Sequence, residues 1–220
     1  MTPGTPEVCG GGAEPSPSTP KACGGGTCGR RALPVLPALT LIILLVAIAA
    51  SAQSAEELLG AGKKAFADGF YPVAADAFQR ILSAFPQSPF EAEAEYLLGV
   101  SRYYSSRWRD CVTALEGFPD RHPASPLAAR VPYWVGASWL SLGSYEKALK
   151  YLSGLAGAAD PTAKGPYTNH AALLCGVALE GLGRDAEAGA WYRKVTAAGD
   201  ASLVPEAVFR LAGTEYRSGQ

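Results

Sequence analysis

Small and large apolar residues alternate along this chain at helical spacing, and the arrangement returns every 36 to 40 residues. Gly62, Gly99, Gly136 and Gly176 stand 37, 37 and 40 residues apart. Seven residues after each comes a second small residue, Gly69, Ser106, Gly143 or Gly183, and Gly219 continues that series 36 residues on. Beyond each lies a further small residue, Ala74, Cys111, Ala148 or Ala188, followed four residues later by a large one: Phe78, Leu115, Leu152 or Tyr192. Residues four apart share a helix face. A period of this length is produced by stacked helical hairpins, so each unit reads as helix, tight turn, helix.

Boundaries follow from the capping and breaking residues. Ser54-Ala55-Glu56-Glu57 has the S-x-x-E spacing of a capping box and opens a helix running to about Ala67. Asp68-Gly69 turns the chain, and Tyr71 to Phe85 forms the second helix, closed by Pro86. Ser88-Pro89-Phe90-Glu91 repeats the box with proline at the first helical position and opens unit two. That unit turns at Ser105-Ser106, and its second helix stops before Pro123. Ser125-Pro126 opens unit three, which turns at Gly143 and ends near Pro161. Unit four starts near Thr168, turns at Gly183 and ends by Asp200. Val208 to Gly219 supplies the first helix and turn of a fifth unit, whose second helix is expected from a continuation or a partner.

The first-helix glycines predict close packing, because helix pairs approach only where side chains are short. A helical glycine costs about 1 kcal/mol against alanine, so four at one phase are a packing feature. The small residues of the second helices are expected to face them. Cys111 and Cys175 fall at such positions in non-adjacent units and read as buried free thiols, not as a disulfide.

At this point the chain resembles the tetratricopeptide repeat (TPR) family. Leu98-Gly99 and Val135-Gly136 match the first pair of its pattern; Gly69, Tyr71, Ala74, Phe78 and Pro86 match the remainder in unit one, and Gly143, Tyr145 and Ala148 in unit three. The resemblance covers about residues 54–220 and implies an all-α fold, a right-handed α-solenoid of TPR-like helix-turn-helix repeats behind an N-terminal apolar segment. About four repeats and a partial fifth fill residues 53–220. A narrower resemblance rests on Phe85-Pro86-Gln87-Ser88-Pro89 and Ala92-Glu93-Ala94-Glu95-Tyr96-Leu97-Leu98-Gly99. These look like bacterial envelope repeats, of the outer-membrane assembly lipoprotein and of the Tol–Pal-associated periplasmic protein.

Composition adds a leader. Residues 1–29 hold five Pro and eight Gly but no Leu, Ile, Phe, Tyr or Trp, which predicts a disordered tail. Arg30-Arg31 precede an uncharged apolar run, Ala32 to Ala52, so residues 30–52 read as a signal peptide or a retained membrane anchor. Ala50-Ser51-Ala52 before Gln53 fits cleavage, and the proline-free piece Ala38 to Ala52 would reach only about 22 Å as helix. Either outcome puts residues 53–220 on the periplasmic or extracytoplasmic side of a bacterial envelope, secreted or tethered through residues 32–52.

A net charge of −1 offers no basic stripe for nucleic acid. No phosphate loop, nucleophile elbow or metal set is present, so no catalysis, cofactor, metal or small-molecule substrate is expected from these residues. His122, in the loop Arg121-His122-Pro123, reads as solvated; Glu91, Glu93 and Glu95 read as favouring a helix N-terminus. What the family resemblance implies instead is a groove lined by the first helices, at Phe66, Tyr96, Val100, Tyr103, Tyr104, Arg130, Tyr133 and His170. Tyr and Arg combine contact area with hydrogen bonding, which favours recognition. The function expected is an exported protein–protein interaction scaffold holding a peptide or protein segment. The alternative is the accessory repeat region of a larger envelope enzyme.

Overall fold

The computed structural model describes residues 54–157 and 167–219. The tail, the apolar run 32–52 and the predicted end of unit three near Pro161 lie outside the described residues. Within them the chain forms α1 (Ala55–Ala67), α2 (Tyr71–Ala84), α3 (Glu91–Tyr104), α4 (Trp108–Leu115), α5 (Phe118–Arg121), α6 (Val131–Ser141), α7 (Tyr145–Ala156), α8 (Thr168–Gly181), α9 (Asp185–Ala198) and α10 (Val204–Ser218). A single 3-10 turn, Ala128–Arg130, precedes α6, and no strand occurs among the described residues. The long helices pack pairwise in sequence order, while α3 touches α6 and α6 touches α8. The first helices of successive units therefore stand in a row.

Each predicted turn residue adopts the left-handed conformation: Gly69 (φ 80°), Ser106 (φ 59°), Gly143 (φ 71°), Gly183 (φ 70°) and Gly219 (φ 73°). The first four close their helices with one bonding pattern. At the first turn Phe70 N donates to Ala65 O at 2.8 Å and Gly69 N to Phe66 O at 3.1 Å, which satisfies carbonyls the helix end would otherwise leave unpaired.

The first-helix glycines have a more specific role than expected. Their neighbours are the bulky residues of the second helices, not the small ones. A Cβ on Gly62 would lie 2.6 Å from the Phe78 ring, and one on Gly136 would lie 2.5 Å from Leu152 Cγ. Gly99 stands in the same relation to Leu115, and Gly176 to Tyr192. Ala74, Cys111, Ala148 and Ala188 are fully buried beside these contacts, and Gly136 also approaches the Ala148 carbonyl. Cys111 and Cys175 are free and buried as predicted, and burial pushes their thiols up to about 11 and about 12.

Two predicted helix starts are displaced. The Ser54 capping box forms, with Glu57 N donating to Ser54 Oγ at 3.1 Å and Ser54 N to Glu57 Oε2 at 3.0 Å. The second box does not form: α3 begins at Glu91 without a side-chain cap, and Ser88 Oγ is buried with no hydrogen-bond partner among the described residues. Phe90 packs against the core of unit one and Gln87 takes φ 69°, so core packing sets the entry of the chain. Unit three opens at Val131 and not at Ser125, because Pro132 lacks the N–H that a continuous helix would need there. The second helix of unit two is interrupted at Glu116-Gly117, which lets Phe118 turn fully into the core.

Candidate functional site

The first helices and the turns beside them bring their aromatic residues into one continuous set. Phe66 at the end of α1 meets Tyr71 edge-on at 5.3 Å, and Tyr71 stacks on Tyr104 of α3 at 4.8 Å. Tyr104 and Tyr103 both meet Trp134 of α6, at 5.6 and 5.2 Å. Trp134 adjoins Tyr133, which stacks on Tyr167 at 4.4 Å and presents its ring to His170 of α8 at 6.4 Å. Aromatic contact thus runs without a break from unit one to unit four.

Access differs sharply along this set. Tyr104 is 47% exposed, while Phe66, Tyr103, Tyr133 and His170 are half-buried and Arg130 is exposed. Tyr96 and Val100 are enclosed in the core, at 5% and 3%, so these two predicted groove residues pack and do not line an accessible surface. The reason is visible at Tyr96, whose hydroxyl accepts from Trp134 Nε1 at 2.8 Å while its ring meets Phe118. His170 Nδ1 is buried without a hydrogen-bond partner among the described residues.

Burial raises the Tyr103 and Tyr104 phenols, and burial with neighbouring phenols pushes Tyr133 up to about 12. At neutral pH these side chains are uncharged and carry O–H donors. Among the described residues Arg130 makes no ion pair, whereas Arg102, on α3, donates to Gln79 Oε1 at 3.0 Å. The face is therefore apolar, hydrogen-bonding and faintly positive.

Elsewhere the polar residues pair among themselves. His122 is not a solvated loop residue: its side chain is 16% exposed and its Nε2 lies 2.8 Å from Glu95 Oε2. Arg121 engages the other oxygen of the same carboxylate, so Glu95 is a buried pairing partner and not a helix-end charge. Glu93 pairs with Lys63 at 2.7 Å. A cleft of about 310 Å³ at the second turn is lined by Ser106, Trp108 and Leu142, with an Arg107–Asp110 ion pair of 2.6 Å in its wall. No group of His, Cys, Asp and Glu residues that could hold a metal ion occurs among the described residues.

Trp134, Tyr71 and Tyr167 belong to the aromatic set although the sequence pattern did not assign them to a groove. Tyr71 stands at the post-turn aromatic position, which reads as packing. Trp134 directly follows a predicted groove position, and adjacent residues normally leave a helix in different directions.

Solved structures share this architecture. The protein MamA MSR-1 C2 is 19% identical, with a TM-score of 0.58 over 75% of this chain and 87% of its own. A tetratricopeptide repeat protein from Parabacteroides merdae ATCC 43184 is 18% identical, with a TM-score of 0.61 over 76% of this chain and 61% of that one. The apo form of RapI is 13% identical, with a TM-score of 0.65 over 84% and 55%. At these identities the likeness shows the fold: the described residues form a TPR-like α-solenoid. No curated protein sequence matches the chain. The model of the family described as T7SS, ESX-1 secretion system protein EccA1, N-terminal domain, matches residues 44–217, and the chain belongs to that family. Among the described residues no helix is long and apolar enough to cross a membrane, and residues 30–52 are not among them.

Proposed function

We propose that this chain is an interaction scaffold of a protein-secretion apparatus, holding a segment of a partner protein against the aromatic face of its first helices. The unbroken ring contacts from Phe66 to His170 carry the reading. A segment laid there meets flat apolar rings with neutral O–H donors at their rims, and Arg130 favours a carboxylate at one edge. The family supports the link to secretion, since its description is of a secretion-system protein. The export signal or anchor at residues 30–52, and with it an extracytoplasmic envelope location for residues 53–220, is part of the same proposal. A mature N-terminus at Gln53 in mass spectra would support cleavage, and full-length protein resisting carbonate extraction would support the anchor. The family is described as an N-terminal domain, and this favours a second reading in which the scaffold serves a catalytic part of a longer polypeptide.

A photo-crosslinking side chain at Tyr104 tests the binding face. It should trap one defined polypeptide that the same group at Ala197, exposed on α9, does not trap. Tyr104→Ser with Arg130→Ala should weaken that capture by about 10-fold or more while helicity is retained. Equal capture at both positions, or capture that survives the double substitution, would move recognition off this face.

A further inference from the structure

The aromatic face is open in the middle of the stack. Tyr104 closes α3 in unit two, with units one and three both in place beside it, and is still 47% exposed. Its exposure therefore belongs to the assembled repeats and not to an end of the chain.

The rings make a corrugated surface. Tyr71 and Tyr104 lie nearly parallel, 19° apart in plane, and Tyr133 and Tyr167 do likewise at 12°. Between the two stacks Trp134 stands edge-on, at 61° to Tyr104 and 78° to Tyr133. The centres of Tyr104 and Tyr133 are separated by no more than these two contacts, of 5.6 and 5.0 Å, laid end to end. A polyproline II helix advances about 9 Å in each three-residue turn, which is a step of the same order. Successive turns of such a segment meet one stack and then the next.

Hydrogen bonding narrows the occupant further. Among the described residues the hydroxyls of Tyr71, Tyr104 and Tyr133 bond to no protein group, in contrast to those of Tyr96, Tyr151 and Tyr192. Each must find an acceptor when a ligand displaces water, because a buried unpaired hydroxyl is costly. The titrating neighbours that raise the Tyr104 and Tyr133 phenols are other phenols, with no carboxylate among them. The face is therefore rich in O–H donors and poor in acceptors for N–H groups. A helical segment spends its carbonyls on its own backbone and would leave the hydroxyls unpaired. A β-strand would bring N–H groups that the face does not match. A proline-rich segment in polyproline II form keeps its carbonyls free, and its prolines carry no N–H.

We propose that the segment held on this face is proline-rich and bound as a polyproline II helix, with its carbonyls accepting from Tyr71, Tyr104 and Tyr133. An acidic residue beside the prolines meets Arg130, which is exposed at the start of α6. Such a segment is extended before it binds, so it loses little conformational entropy on docking. The proposal rests on the reading of the face given above and adds the class of its ligand.

Fluorescence anisotropy of the full chain with two labelled peptides tests it. One peptide carries repeated Pro-Pro-Ala blocks behind a single Glu, and the other has every Pro replaced by Ala, which favours helix. The proline peptide should bind about tenfold more tightly or better. Tyr71→Phe with Tyr104→Phe keeps both rings and removes two donors. It should weaken the proline peptide about tenfold, the loss expected of two ordinary hydrogen bonds, with helicity unchanged. Tyr216→Phe, on the exposed side of α10, should change nothing. Absent binding of the proline peptide, equal binding of the two peptides, an affinity untouched by the paired substitution, or an equal loss from Tyr216→Phe would each overturn the proposal. The cross-link at Tyr104 then tells what else falls. If it still traps one defined polypeptide, only the ligand class is wrong; if it does not, the binding face is wrong as well.

Discussion

Gly99 and Ser106 show how one atom decides a repeat. A Cβ at Gly99 would collide with the Leu115 side chain, which is fully buried and cannot swing away. Gly99→Leu should therefore lower unfolding stability by about 1–3 kcal/mol or more, because overpacking drives the two helices apart. An unchanged thermal midpoint would contradict the packing. Ser106 presents the opposite case, a side chain held at φ 59° where four sister positions hold glycine. Left-handed backbone costs a non-glycine residue about 1–2 kcal/mol, and glycine returns about 0.5–1 kcal/mol of that as chain entropy. Ser106→Gly should accordingly stabilise the protein by about 0.5–1 kcal/mol in chemical denaturation, with the helix content unchanged.

Among the elements, α10 owes its attachment to apolar contact and to ion pairs, of which those on one carboxylate reach furthest. Glu180, near the end of α8, accepts from Tyr192 at 2.6 Å, Arg210 at 3.0 Å and Arg217 at 2.5 Å, so it ties three helices together. Burial opposes its charge, but the bonds from Tyr192, Arg217 and Arg210 outweigh burial and hold its carboxyl below the usual carboxylate range. A carboxylate with a depressed folded-state value adds stability above its unfolded-state value, and loses it as pH falls through the folded one. Acidification from the ordinary carboxylate range downward should loosen α10 before α1 to α4. Glu180→Gln should remove much of that pH dependence and raise amide exchange in α10 at neutral pH. Exchange that stays uniform along the chain in both proteins would show that the knot contributes little.

Over the whole molecule, the row of first helices is both the structural seam and the candidate recognition face. The two roles compete for the same aromatic residues. Tyr96 and Trp134 have gone to the seam, joined by a buried hydrogen bond, whereas Tyr104 and Arg130 remain available. Substitution on this face should thus split into two classes. Trp134→Ala should cost about 3–5 kcal/mol, as for other buried aromatic deletions, while Tyr104→Ala should change stability little and affect only partner capture. Equal losses of stability for the two would mean that no part of the face is free to bind.

Hairpin number, turn positions and the phase of the close contacts were legible in the chain, because backbone conformation and side-chain size act locally. A left-handed turn admits few residues, and a glycine repeated at one helical phase marks contact wherever it occurs. The same reasoning misplaced the start of α3 and of α6, where Phe90 and Pro132 override the serine caps through core packing and a missing donor. It also read His122 as solvated, because Glu95 and Arg121 lie 27 and 1 residues from it and only the folded hairpin sets all three together. Six of the eight candidate groove residues keep partial or full exposure, but Tyr96 and Val100 do not. Whether an aromatic residue on a first helix ends as core or as surface depends on the neighbouring unit's rotation, and no pattern within one repeat encodes that. The chain by itself therefore determined the repeat, its turns and the phase at which its first-helix glycines pack; tertiary packing alone decided which side chains those glycines meet and which rings stayed exposed.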